Sequence, residues 1–146
     1  MPSFEDWDKR FLSEAARISD WSKDPSTKVG CLIVKDRQIL STGFNGFPRG
    51  IADLASRLNN REERLLRTVH AEGNAVAQAA RNGVSLKGST AYVFPFIPCS
   101  SCCSLLIQAG IVRVVVPDTP IPSRWAESFG MSKSMFDEVD ISLVMV

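Results

Sequence analysis

A chain of 146 residues with 45% hydrophobic and 23% charged side chains has the make-up of one globular domain, residues 1–146, long enough to bury a core. Its net charge of +1 offers no general attraction to nucleic acid or to a membrane surface, and no apolar run approaches the ~20 residues that cross a bilayer. The charged N-terminus lacks the apolar core of a secretory signal, so a cytoplasmic location is expected, where four cysteines suit metal ligation or burial better than disulfides.

Ser3 and Asp6 resemble a capping box, and Trp7, Phe11, Ala15 and Ile18 recur at helical spacing, which predicts a first helix to about Trp21. "DPSTK" breaks it. "VGCLIVKDRQILSTGF" reads as a hairpin turning at Asp36–Arg37, and "NGFPRG" as a loop. Residues 51–68 read as partly helical, interrupted near Asn59–Asn60. Beyond them the pattern predicts helix 70–82, strand 89–94, helix 99–109, strand 111–116, helix 123–138 and strand 141–146. Strands alternating with helices imply crossover units and a parallel arrangement. The opening hairpin adds an antiparallel edge, giving an α/β fold in three layers, a mixed five-stranded sheet covered by helices.

His70 is the only histidine. It opens the predicted helix 70–82, two residues before Glu72. Downstream, "PCSSC" places Cys99 and Cys102 on one face of the first turn of another helix, where free amides and partial positive charge favour thiolate. Zinc prefers thiolate and imidazole, and a catalytic zinc keeps three protein ligands plus a water; His70, Cys99 and Cys102 supply three. A metal-bound water has its pKa lowered toward ~7, and a nearby carboxylate can carry its proton. On an ideal helix His70 and Glu72 point roughly 200° apart, so they converge only if His70 lies at the very start of the helix. The plainer readings are a capping histidine, a redox CxxC pair and core cysteines at positions 31 and 103. The redox reading leaves His70 and Glu72 unexplained.

The pattern His70-x-Glu72 with Pro98-Cys99-x-x-Cys102 is the signature of zinc nucleobase deaminases. The chain resembles the cytidine deaminase superfamily, and within it the deoxycytidylate (dCMP) deaminases. "DPSTKVG", "GFNGFPRG", "HAEGNAV" and "LLIQAGIVRVVV" carry the resemblance over nearly the whole length. Asn74 matches the dCMP deaminase form, whereas tRNA adenosine and riboflavin-pathway deaminases typically differ there.

The resemblance implies a catalytic Zn2+ held by His70, Cys99 and Cys102. Some family members also hold a second, structural zinc, but Cys31 and Cys103 are the only spare soft ligands here and no second histidine exists, so one zinc per chain is expected. The resemblance also implies Glu72 as the proton carrier in hydrolysis of dCMP to dUMP and ammonia, supplying thymidylate synthesis. The amide near Ala71 is expected to orient the base and Asn45 to contact the sugar, although Asn45-Gly46 is also an ordinary turn pair. Ser26 and Arg49 are candidates for the phosphate, and Phe96 for the base pocket. Arg57, Arg61 and Arg64 share a helix face that reads more readily as a solvated stripe, and Trp125 with Phe129 as core packing. Further implied expectations are a homo-oligomer (hexamer or dimer), dCTP and dTTP as effectors, and neither nucleic acid nor membrane as partner. Family members commonly carry a larger side chain where this chain has Gly73. The alternative is therefore another free nucleotide or nucleoside, such as a C5-modified dCMP admitted by the missing bulk, or cytidine.

Overall fold

The structure is a computed structural model and describes residues 3–146. Helix α1 (Phe4–Ser19) starts at the capping box read from the sequence, with the Asp6 amide donating to Ser3 Oγ at 3.2 Å and the Ser3 amide to Asp6 Oδ2 at 3.0 Å. Strands β1 (Gly30–Lys35) and β2 (Gln38–Phe44) form the hairpin. Its turn puts Asp36 and Arg37 at φ 52° and 60°, the left-handed pair that suits the twist of a two-residue connection. The helical segment after the loop is split at Asn59–Asn60, as expected, into α2 (Ala55–Leu58) and α3 (Arg61–Arg67), and the Asn60 side chain caps α3 by accepting the Glu63 amide. Then follow α4 (Ala71–Asn82), β3 (Thr90–Phe94), α5 (Ser100–Ala109), β4 (Arg113–Val116), α6 (Ala126–Glu138) and β5 (Ser142–Met145). A separate 3-10 turn over Ser123–Trp125 takes the place of the expected first turn of α6.

The sheet order is β2-β1-β3-β4-β5. β1 is antiparallel to both neighbours, while β3, β4 and β5 run parallel. The crossover from β2 to β3 does keep those two strands parallel, but β1 lies between them. β1 is buried along five of its six residues because both faces are covered. Leu32 and Val34 pack with Phe11, Leu12 and Ala15 of α1. Cys31 and Ile33 face the opposite layer with Ala71, Ala75 and Ala79 of α4, Leu106 of α5 and Phe136 of α6. The result is three layers, α/β/α.

One close approach positions the site. A side chain at Gly43 in β2 would collide with the Ala71 carbonyl and the Ala75 amide, so glycine lets the first turn of α4 lie directly on the sheet. Ser41 Oγ donates to the Ala75 carbonyl at 2.7 Å and holds the helix there.

Candidate active site

His70 and Cys99 occupy the same structural position twice. His70 is the N-cap of α4, at φ −68° and ψ 157°, and Cys99 is the N-cap of α5, at φ −64° and ψ 167°. Both lie in extended backbone just outside a helix, and the two helix starts converge. His70 Nδ1 lies 3.5 Å from Cys99 Sγ and 3.3 Å from Cys102 Sγ, and the three donor atoms lie within 4.8 Å of one another. A tetrahedral zinc with bonds of roughly 2.1 Å to nitrogen and 2.3 Å to sulfur needs N···S edges of roughly 3.6 Å. The donor set therefore fits zinc, with Nδ1 as the imidazole donor.

The N-cap position also resolves the geometry of Glu72. Because His70 precedes the helix, its side chain does not follow the helical rotation that would turn it away from Glu72. Glu72 is only 4% exposed, and burial pushes its carboxyl up to about 7. A hydrogen bond from Cys102 brings Cys99 down to about 4, with His70 adding to the effect. Cys102 is raised because its thiol is the donor in that bond, and His70 is raised chiefly by its hydrogen bond with Cys99. The two shifts make a thiolate–imidazolium pair, which takes a cation by releasing the imidazole proton.

A cleft of about 270 Å³ opens over these groups. Ala71 and Glu72 line its floor beside His70 and Cys99. One wall is aromatic: the ring centroids of Phe96 and Trp125 lie 5.6 Å apart, those of Trp125 and Phe129 5.9 Å, and those of Phe96 and Phe129 6.3 Å. The opposite rim is polar, with Ser26, Thr27, Asn45, Arg61 and Arg64, and Arg124 stands beside the aromatic wall. That volume lies near the small end of ligand sites, ~300–1,000 Å³, and suits one small molecule.

Residues 5–117 match the family described as the cytidine and deoxycytidylate deaminase zinc-binding region. The chain belongs to this family. It is 41% identical to an uncharacterized deaminase from the luxG 3′ region of Aliivibrio fischeri, over 94% of this chain and 91% of that one. Its identity to human deoxycytidylate deaminase is 35%, over 75% of this chain and 64% of that protein. The crystal structure of the dCMP deaminase of cyanophage S-TIM5 in complex with dCMP and dUMP shares the fold over the full length of both chains, with a TM-score of 0.78 at 23% identity.

Within this deaminase the expected site residues do not all meet. Asn45 lines the cleft but is also a clasp: its Nδ2 donates to the Thr27 carbonyl at 2.8 Å and its Oδ1 accepts the Val29 amide at 2.9 Å. The next residue pairs with the chain before His70, the Gly46 and Val69 amides donating to each other's carbonyls at 3.1 and 2.8 Å. Asn74 holds the same corner by donating to the Phe44 carbonyl at 2.7 Å. Arg49 lies outside the cleft, with its guanidinium bonded to Gln78. Of the expected stripe, Arg61 and Arg64 line it instead, Arg61 exposed and Arg64 half-buried, while Arg57 does not.

Trp125 and Phe129 are cleft wall as well as packing, and Ser128 and Arg124 lie among them. The missed signal is positional. They follow β4, and ligands in open α/β sheets sit beyond the carboxyl ends of parallel strands. A Cβ at Gly73 would meet Val69 at 3.4 Å and Leu105 at 3.8 Å, neither of which lines the cleft. Missing bulk there does not enlarge the cleft. The other cysteines stand apart: Cys31 is sealed in β1, and Cys103 donates its thiol to the Ser132 carbonyl at 3.6 Å.

Proposed function

We propose that this protein hydrolyses dCMP to dUMP and ammonia, with His70, Cys99 and Cys102 holding one zinc ion and Glu72 carrying protons. The observation that carries this reading is the buried carboxyl of Glu72 on the floor of a nucleotide-sized cleft, beside a cluster of three donors of the kind that zinc takes. The chemistry that zinc supplies when bound is Lewis acidity, which makes water a nucleophile near neutral pH.

Glu72 takes a proton from the attacking water and delivers it to N3 of the pyrimidine. The water oxygen bonds to C4; Glu72 then carries that oxygen's remaining proton to the exocyclic nitrogen, which departs with the C4–N electron pair as ammonia while the C4=O bond forms. The aromatic wall of Phe96, Trp125 and Phe129 covers the apolar faces of the base and excludes bulk water. The Ala71 amide, at the open start of α4, is a donor for the base. The Asn45 amide retains one N–H and one lone pair after its two loop bonds, and these serve the deoxyribose.

Ser26 with Arg61 and Arg124 meets the phosphate. The names of the relatives support dCMP over cytidine. With Gly73 facing away from the cleft, no feature of that residue favours a C5-modified base.

The test is ammonia and dUMP formation from dCMP by zinc-loaded protein, with the Glu72→Gln variant as control. Turnover by the wild type and none by a variant that retains its zinc supports the reading. Equal turnover by both ends it.

A further inference from the structure

The zinc ligand Cys99 is gripped on both sides by helix α6, through Ser132, which lies outside the cleft, and Ser128, which also lines it. Ser132 Oγ donates to the Pro98 carbonyl at 2.7 Å, and the Ser100 amide donates to Ser128 Oγ at 2.9 Å. Ser128 returns a bond to Ser100 Oγ at 3.3 Å. A serine inside a helix ordinarily bonds back to the carbonyl one turn earlier. Ser132 reaches that carbonyl, of Ser128, only at 3.2 Å, and its shorter bond runs to the neighbouring segment. Ser132 is fully buried, so the bond has no competition from water.

The two bonds hold different peptide planes. The Pro98 carbonyl belongs to the plane before Cys99, and the Ser100 amide to the plane after it. Peptide planes are rigid, and a residue's direction is set by the two dihedrals between its flanking planes. Together the two hydroxyls hold both planes that flank Cys99, and with them its φ and ψ; the plane after it is also held by the Cys103 amide, which donates to the Cys99 carbonyl at 2.8 Å. The two serines stand one helical turn apart on α6, so one rigid element helps set the direction of the Cα–Cβ bond that carries the thiolate.

We propose that Ser128 and Ser132 are positioning residues for the Cys99 zinc ligand, fixing its backbone from α6 and thereby setting the affinity and geometry of the metal site. This inference rests on the reading of Cys99 as a zinc ligand. Groups behind metal ligands typically change affinity by ~10- to 100-fold when removed, and a loss of that size is expected for Ser128→Ala and for Ser132→Ala.

The experiment measures zinc affinity of the purified full chain by chelator competition. It also records the thiolate-to-metal charge-transfer and d–d bands of the cobalt-substituted protein. Both alanine variants should bind zinc more weakly and shift the cobalt bands, while Ser128→Thr, which keeps the hydroxyl, restores both readouts. Ser89→Ala removes another fully buried hydroxyl, one without a hydrogen-bond partner, and should leave both unmoved. Wild-type affinity and unchanged cobalt bands in both alanine variants, whatever their melting temperatures, overturn the proposal alone. A wild-type chain that takes up no zinc overturns the zinc reading along with it. If Ser132→Ala does not fold, Ser128→Ala and its threonine counterpart decide the matter by themselves.

Discussion

Arg64 Nε stands 3.6 Å from Asp24 Oδ2 at the rim of the cleft, with the two side chains only 11% and 14% exposed. Asp24 in turn accepts the Ser26 and Thr27 amides at 2.8 and 3.1 Å, and Arg64 also donates to the Leu58 carbonyl at 2.6 Å. Arg64 is thus a strut for the "DPST" loop. Arg61 and Arg124 line the same cleft as exposed cations. A hydrogen bond to a charged group contributes ~1.5–3 kcal/mol, so Arg61→Ala and Arg124→Ala should each raise KM for dCMP roughly 10- to 100-fold. The inhibition constant of deoxycytidine, which has no phosphate, should not move, and Arg49→Ala should change neither. Steady-state kinetics with both compounds checks this, and parallel changes for the two would end the assignment.

Glu72→Gln keeps the shape of the side chain and removes its capacity to carry a proton. General acid–base groups contribute typically ~10²–10⁴-fold, and kcat should fall by at least that much while zinc content stays near one per chain. A variant that loses zinc as well as activity would instead make Glu72 part of the metal's support.

The metal-free protein should carry a pH signature of the same residue. Its carboxyl is raised from 4.5 to about 7 by burial, so the native state holds that proton more tightly than the unfolded chain. The resulting stabilisation is fully present below about pH 4.5 and is lost as pH rises through about 7. By linkage it amounts to about 3 kcal/mol, at about 1.36 kcal/mol per unit. His70 is also raised, so the comparison must be differential. The melting temperature of the metal-free wild type, minus that of Glu72→Gln, should decline between these limits, and a flat difference contradicts the prediction.

Thiol chemistry should separate Cys99 from the buried Cys31 and Cys103. Cys99, brought down to about 4 and partly exposed, should alkylate first in the metal-free native protein. Burial pushes Cys103 up to about 11 and Cys31 well above the ordinary thiol range, so both should react only on unfolding. Zinc should protect Cys99. Peptide mapping after a brief pulse of alkylating reagent, with and without zinc, reads all of these outcomes.

Gly73→Ala should stabilise the chain. The new methyl would lie in ordinary contact with Val69 and Leu105, and removing a glycine from a helix gains roughly 0.5–1 kcal/mol. Thermal denaturation should show the rise, and the turnover ratio of 5-methyl-dCMP to dCMP should stay at the wild-type value. A shifted ratio would mean that the position reaches the base after all.

Much of the frame was legible because local chemistry decides it. Ser3 and Asp6 announce a helix start, Asp36–Arg37 marks the hairpin, and the spacing of His70, Cys99 and Cys102 brings three soft donors into one cluster. What stayed hidden depends on partners distant in sequence. Nothing local distinguishes Arg49, drawn to Gln78, from Arg64, drawn to Asp24. An aromatic pair one helical turn apart looks the same facing a core or a cleft, so the role of Trp125 and Phe129 waits on where α6 docks. Strand alternation predicted parallel neighbours, but it could not show that β1 inserts between β2 and β3.

His70 and Cys99 both stand just before a helix begins, and this has a consequence for how the site tolerates change. Their donor atoms depend on two chain segments entering helices side by side, and not on how far those helices run. α4 and α5 end at left-handed glycines, Gly83 and Gly110, at the far ends of the helices from these two donors. Additions or deletions there should be absorbed by the loops, so the reactive end can stay fixed while the remote end varies.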